Sequence, residues 1–180
     1  MGSAYAGWAA RWRVPMGFLL VAAYVFFCRP TLRLWITGGA VALAGIAIRA
    51  FAAGCLVKNQ SLANQGPYAC TRNPLYLGSA FLGTGFALAG GRWILGLAWV
   101  VLFAAVYWPV IRREEAFLRQ QFGSAYESYA RDVPLFLPRL PRPAQLTGFQ
   151  WKQYRKNHEY EAFVGYLAGM IFLALKMWFR

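Results

Sequence analysis

Long apolar stretches are the feature that most limits what this chain can fold into. A helix that crosses the hydrocarbon core of a bilayer needs about 20 mostly apolar residues. The second, fourth and fifth stretches reach that length, whereas the first and third are shorter and are expected to be tilted or partly re-entrant. The five stretches are Val14–Cys28, Leu34–Ala53, Leu75–Ala89, Trp93–Ile111 and Ala162–Trp178. We therefore predict an all-α integral membrane bundle with about five transmembrane helices.

Composition and the distribution of charge indicate a lipid environment. Hydrophobic residue types make up 59% of the chain and charged types 14%, against about 25% charged residues in soluble domains. The net charge of +13 can indicate nucleic-acid binding, but the positive-inside rule accounts for it more simply. With five spans, 13 of the 19 lysines and arginines fall on the side of the N-terminus and five on the other. We expect a protein of the inner, cytoplasmic membrane, with its N-terminus and both long loops in the cytoplasm, the lipid bilayer as partner and no nucleic acid.

Few residues are suited to metal binding or carboxylate chemistry. The three cysteines, Cys28, Cys55 and Cys70, are scattered without a CxxC pair, and His158 is the single histidine. This pattern predicts no metal site. No acidic residue precedes Glu114, so carboxylate chemistry must come from the C-terminal part of the chain.

Two polar loops interrupt the apolar pattern and are expected to meet on the cytoplasmic side. The first, Gly54–Pro74, ends in the turns Gly66-Pro67 and Asn73-Pro74. The second follows the fourth span, and its first half predicts an amphipathic helix that Val133-Pro134 ends. At 100° per residue its apolar face holds Leu118, Phe122, Ala125, Tyr126 and Tyr129. Glu115 lies in the middle of that face with Arg112 about 60° to one side, and such a local conflict is typical of a functional site.

Other conspicuous residues have simpler interpretations. Gly83-Thr84-Gly85 and the pair Gly165 and Gly169 lie within spans, where small residues allow close helix packing. Arg49 lies near the end of its span, where snorkelling to the interface is favoured over pairing with a substrate or cofactor carboxylate. For His158 a solvated interfacial position is favoured over a titrating role near neutral pH.

Two motifs in these loops carry a family resemblance. The first is Gly66-Pro67-Tyr68 followed by Arg72-Asn73-Pro74-Leu75-Tyr76-Leu77-Gly78. The second is Glu114-Glu115, then Leu118, Phe122-Gly123, Tyr126, Tyr129 and Val133-Pro134. Together they resemble the isoprenylcysteine carboxyl methyltransferase family of membrane enzymes, which is related to phospholipid methyltransferases and, more distantly, to membrane sterol reductases. The resemblance covers roughly residues 66–138. It departs from the family pattern at Asn73, where the family has histidine, and at Leu135, where it usually has arginine.

The resemblance implies a chemistry and a set of site residues. It implies S-adenosylmethionine as cofactor and methyl transfer to a lipophilic substrate, either an isoprenylcysteine-like carboxylate or a membrane lipid. The transfer is an in-line displacement, so a carboxylate acceptor needs no general base and the enzyme mainly aligns the reactants. The implied catalytic residues are Glu115 and Arg112. The implied cofactor-binding residues are Gly66, Pro67, Tyr68, Arg72, Asn73, Pro74, Tyr76, Glu114 and Glu115.

The domain organisation expected from these patterns is a single membrane domain over residues 1–180. It comprises an N-terminal helical hairpin (14–53), a cofactor-binding methyltransferase core (54–143) and a C-terminal segment with the last membrane helix (144–180). Two other functions stay open: a non-catalytic membrane scaffold or carrier, and an NADPH-dependent reductase of the sterol type. The sequence does not select the oligomeric state.

Overall fold

The computed structural model describes residues 2–57, 61–140 and 145–179, and side chains from residue 15 onward within those ranges. All regular structure there is helical, which confirms the all-α prediction. Lys58, Arg142 and the boundary expected between residues 143 and 144 lie outside the described ranges. The helices are α1 (Gly2–Phe27), α2 (Leu32–Cys55), α3 (Pro74–Ala89), α4 (Trp93–Leu102), α5 (Trp108–Asp132), α6 (Trp151–Lys156) and α7 (Tyr160–Trp178), with a 3-10 turn at Gly66–Ala69 and a π-helical turn at Phe103–Tyr107.

Three helical stretches are long and apolar enough to cross a membrane: Leu32–Cys55, Trp93–Asp132 and Tyr160–Trp178. They correspond to the second, fourth and fifth apolar stretches of the sequence. Two further apolar helical segments, Pro15–Phe27 and Pro74–Ala89, are shorter, as expected for the first and third. Large apolar side chains cover the outside of these helices, and many of them are more than half exposed. A soluble monomer rarely exposes an apolar surface of this extent, so lipid is its natural solvent.

The fourth span and the amphipathic helix form one continuous helical stretch of 40 residues, Trp93–Asp132. No loop separates the amphipathic helix from the fourth span. Pro109 lacks an N–H and crowds the preceding turn, and the π-helical turn at Phe103–Tyr107 absorbs this without ending the helix. The stretch is kinked at Gly123, where the backbone is non-helical with a φ of 49°. The kink changes the register of the apolar face, so Tyr126 is buried while Ala125 is exposed.

The centre of the fold is an antiparallel pair of helices, α2 and α3, in close backbone contact. A Cβ added to Gly85 would lie 2.3 Å from the backbone nitrogen of Ala42, and one added to Gly78 would lie 2.7 Å from the carbonyl oxygen of Gly45. Gly83 faces a tryptophan ring of α4. These contacts confirm close packing through small residues for this part of α3.

Helix α7 packs across the α2–α3 pair. The ring of Phe86 lies against Gly169, and the indole of Trp35 donates to the carbonyl oxygen of Met170 at 3.0 Å. Gly165 has no neighbour within 4 Å of an added Cβ, so only one member of the glycine pair serves this packing. The last helix is therefore an integral part of the bundle.

The segment before α7 folds back over the C-terminal end of α2. The backbone N–H of Gln150 donates to Gly54 at 2.9 Å. The side-chain amide of Asn157 donates to the carbonyl oxygens of Ala53 at 2.8 Å and Leu56 at 3.0 Å. Carbonyl groups in the last turn of a helix have no partner within the helix, and this segment supplies one. It thereby brings the start of α7 next to the first polar loop.

Candidate active site

The two polar loops meet, as their motifs predict. The backbone N–H of Arg72 donates to Pro134 at 2.9 Å, and that of Arg139 donates to Cys70 at the same distance. Pairing of buried backbone groups strongly constrains two segments relative to each other. The turn before α3 and the segment after α5 are therefore one structural unit.

The turn Gly66–Ala69 is shaped by its first two residues. Gly66 has a φ of +59°, and an added Cβ would lie 2.6 Å from the sulfur of Cys55, so only glycine fits. Pro67 is the second residue of the 3-10 turn, where its missing N–H costs nothing. Burial raises the pKa of the Tyr68 hydroxyl, and the charge of Glu114 raises it further, so Tyr68 stays protonated.

The two departures from the family pattern contact each other. The amide of Asn73 donates to the carbonyl oxygen of Leu135 at 3.0 Å, and Asn73 is 9% exposed. The hydroxyl of Thr71 donates to the carbonyl oxygen of Phe136, also at 3.0 Å. Asn73 thus joins the two loops through a neutral hydrogen bond.

Glu115 is buried at the centre of an arginine cluster. Its carboxylate accepts from Nη1 of Arg72 and, at 2.9 Å, from Nη1 of Arg112, and Arg119 lies 3.7 Å away. Glu115 and Arg72 are 7% and 13% exposed, whereas Arg112 and Arg119 are more than half exposed. A buried charge is tolerated only when it is paired. Within the described residues, Nε of Arg72 is nevertheless buried without a hydrogen-bond partner.

A cleft of about 590 Å³ opens beside this cluster. Of the residues expected at the site, it is lined by Tyr68, Arg72, Asn73, Pro74, Tyr76 and Glu114. The other four, Gly66, Pro67, Arg112 and Glu115, are not among its lining residues. Gly66 and Pro67 shape the turn that presents Tyr68, and the carboxylate of Glu115 pairs with the arginines.

Glu114 presents a carboxylate to the cleft. The hydroxyl of Tyr76 donates to its Oε2 at 2.9 Å. Among the residues that the structure describes, no lysine, arginine or histidine forms an ion pair with Glu114. Glu114 is therefore suited to bind a cationic group that enters the cleft.

Sequence reasoning did not find a second charged centre at the cleft. Arg49 pairs with Glu159 at 2.5 Å and donates to the hydroxyl of Ser79 at 2.6 Å, and all three line the cleft together with Asn157. The only sequence signal was an arginine within an apolar stretch. His158 does not line this cleft; its side chain is 65% exposed, as expected for a solvated residue.

The fold and the cleft define an integral membrane protein whose helices enclose a polar site with charges of both signs. Residues 51–125 match the sequence model of the phospholipid methyltransferase family. This range contains both the turn at Gly66 and the acidic pair at Glu114, and it confirms the resemblance carried by the two motifs. The family match points to a membrane methyltransferase.

The curated relatives include a methyltransferase and a metal-resistance protein. The chain is 34% identical over 88 residues to the protein-S-isoprenylcysteine O-methyltransferase of Schizosaccharomyces pombe, covering 47% of this chain and 36% of that protein. It is 40% identical over 87 residues to the cobalt-zinc-cadmium resistance protein of Cupriavidus metallidurans, covering 46% of this chain and 38% of that protein. The chain thus spans less than two fifths of the length of these relatives. No solved structure is significantly similar to it.

Proposed function

We propose that the chain is an S-adenosylmethionine-dependent methyltransferase that acts on a lipophilic substrate at the cytoplasmic face of the membrane. The observation that supports this most directly is the cleft itself. Tyr68 and Glu114 are about 45 residues apart in sequence, yet both line one cavity and both lie in the range that matches the family.

The residues of the cleft fit the chemical groups of the cofactor. Its volume lies within the range of roughly 300–1,000 Å³ typical of small-molecule sites. Glu114 offers a carboxylate for the ammonium group, and Arg72 offers a guanidinium for the carboxylate. The buried, unpartnered Nε of Arg72 is the kind of polar atom that a native site leaves for a ligand or a water molecule. Tyr68 and Phe122 add ring surface to the same wall.

Glu115 and Arg112 act through Arg72 under this proposal. Glu115 does not line the cleft but pairs with Arg72, which does, and Arg112 helps to hold the carboxylate. We therefore assign Glu115 as a positioning residue that fixes the guanidinium facing the cofactor. A side chain locked by such neighbours holds a reactive geometry better than a free one.

Methyl transfer requires little of the protein beyond alignment of the two reactants and exclusion of water. The cofactor, when bound, supplies a methyl group activated by its sulfonium. The chain orients the two reactants and excludes water, which is worth about 7–11 kcal/mol of the barrier when the alignment is good.

Ligand binding separates this proposal from the two alternatives. Purified protein in detergent is heated with S-adenosylhomocysteine, with NADPH or without ligand. Stabilisation by S-adenosylhomocysteine alone supports the methyltransferase, stabilisation by NADPH supports a reductase, and no shift with either supports a scaffold or carrier. Incubation with radiolabelled S-adenosylmethionine and extracted membrane lipids then identifies the class of the acceptor.

A further inference from the structure

Helix α6 lies where two of the membrane helices end. It finishes at Lys156, shortly before α7 begins at Tyr160. The backbone N–H of Gln150, just before α6, donates at 2.9 Å to the carbonyl oxygen of Gly54 in the last turn of α2. Both α2 and α7 are long and apolar enough to cross a membrane. The short helix is therefore at the depth of the lipid head groups, outside the hydrocarbon core.

One face of α6 carries a tryptophan and three cations. At 100° per residue, Trp151, Lys152, Arg155 and Lys156 fall within an arc of about 140°, and all four side chains are exposed. The other two residues of the helix are half-buried. One side of α6 therefore packs on the protein, and the opposite side presents a basic surface with an aromatic ring.

The cations of this face have no acidic partner. Between Asp132 and Glu159 the chain has five lysines and arginines and no acidic residue, and Glu159 itself pairs with Arg49. Among the residues that the structure describes, none of the three cations of α6 forms an ion pair. The described part of the protein therefore leaves this positive charge uncompensated.

Aromatic packing anchors α6 while Trp151 stays accessible. A Cβ added to Gly54 would lie 2.2 Å from the ring of Phe149, so this ring rests directly on the end of α2. Trp151 packs edge-on against Phe149, with 5.0 Å between the ring centroids, and is still 68% exposed. Together with Lys152 and Arg155 it lines an open cavity of about 590 Å³ that shares no lining residue with the cleft.

We propose that this face of α6 is a docking surface for anionic phospholipids. Arg155 and Lys152 bind the phosphate of the head group, since a guanidinium or an ammonium forms a charge-assisted hydrogen bond with phosphate. An anionic leaflet attracts each basic residue near its surface, and the indole of Trp151 is suited to the boundary between head groups and acyl chains. An acidic protein or a nucleic acid would match the charge but not an exposed indole at this depth. The inference does not depend on the methyltransferase function.

The test measures which lipid lies against Trp151. The full chain is reconstituted in nanodiscs of phosphatidylcholine that contain a minor fraction of brominated lipid, either phosphatidylglycerol or phosphatidylcholine. Bromine quenches tryptophan emission on contact, and the difference between each protein and its Trp151→Phe version isolates the emission of Trp151. We expect brominated phosphatidylglycerol to quench this emission about twofold or more strongly than brominated phosphatidylcholine, because the anionic lipid is enriched at the cations.

Two charge variants decide whether the cations of α6 cause the preference. Lys152→Gln/Arg155→Gln should make the two brominated lipids quench equally. The matched control, Arg113→Gln/Arg131→Gln, removes the same charge from exposed residues of α5 and should keep the preference of the wild type. All four substitutions are in exposed side chains, and circular dichroism should show unchanged helix content.

Three results would overturn the inference. The first is equal quenching by the two lipids in the wild type. The second is a preference for the anionic lipid that persists in Lys152→Gln/Arg155→Gln. The third is a preference that disappears in Arg113→Gln/Arg131→Gln as well, since net charge, and not the face of α6, would then attract the lipid.

Discussion

Replacing Glu115 by glutamine tests how the arginine cluster supports the cleft. Glu115 and Arg72 are 7% and 13% exposed and form a buried ion pair. Removing one partner of such a pair costs about 3–5 kcal/mol when a charge is left uncompensated. Glutamine keeps one acceptor oxygen, so the expected loss is closer to that of one charge-assisted hydrogen bond, about 1.5–3 kcal/mol. Arg112 and Arg119 are more than half exposed and add little.

The same change should weaken cofactor binding. If Glu115 orients Arg72 towards the cleft, losing the hydrogen bond between them, about 1.5–3 kcal/mol, weakens cofactor binding. The dissociation constant of S-adenosylhomocysteine then rises about tenfold or more, since 1.4 kcal/mol corresponds to a factor of ten. Isothermal titration gives the affinity, and thermal unfolding in the same detergent gives the stability. Glu127→Gln is the matched control on the same helix. Glu127 pairs with Arg119 at 3.3 Å, but both side chains are about half exposed, so binding and stability should stay near those of the wild type.

A double variant separates positioning from folding. Arg72→Met/Glu115→Leu removes both charges, and apolar replacement of a buried ion pair is often neutral for stability. We expect wild-type stability with lost binding, because Arg72 no longer faces the cofactor. Wild-type affinity in the double variant would refute the reasoning. So would a Glu115→Gln protein that binds with wild-type affinity and only melts at a lower temperature. Either result would leave the arginine cluster with a structural role only.

Three further measurements probe other parts of the molecule. Glu114→Gln should weaken S-adenosylhomocysteine binding about tenfold, the loss of one charge-assisted hydrogen bond, while the melting temperature stays unchanged; unaltered binding would contradict its assignment. Gly85→Val should destabilise the protein by about 1–3 kcal/mol through overpacking, since an added Cβ lies 2.3 Å from an α2 backbone nitrogen; Gly165→Val, where nothing lies within 4 Å, should cost less in the same unfolding assay. Cysteines placed at Ser61 and Ser124, in a background without the native cysteines, should resist impermeant labels in intact cells, and strong labelling would overturn the cytoplasmic topology.

The helical architecture could be predicted because a bilayer imposes it. Backbone groups in hydrocarbon must be paired within their own segment, so apolar length alone identifies a helix. Apolar length does not predict local departures from regular α-helical geometry. Pro109 indicates a helix start in most sequences, but a π-helical turn lets the helix run through it. A helical wheel gives Gly123 no special role, yet its positive φ rotates the part of α5 that follows it.

The candidate site was predictable where its residues lie in compact motifs. Six of the ten residues expected at the site do line one cleft, because each motif places a turn or a helix face at the junction of the loops. Glu115 was selected for its position on an apolar face, and that position explains its burial, but the wheel did not show that arginines occupy its carboxylate. The pair of Arg49 and Glu159 joins residues 110 positions apart. No periodicity in a single sequence encodes such a pairing.

The return of the C-terminal segment to α2 has a consequence for biogenesis. Asn157 and Glu159 line the same cleft as Tyr68 and Glu114, although they are synthesised after both motifs. During translation the earlier helices insert first. Arg49 therefore lacks its ion-pair partner, Glu159, until the start of α7 leaves the ribosome. The cavity is therefore completed only after both motifs have been synthesised, and a nascent chain that stalls before residue 157 carries both motifs but lacks part of the cleft wall.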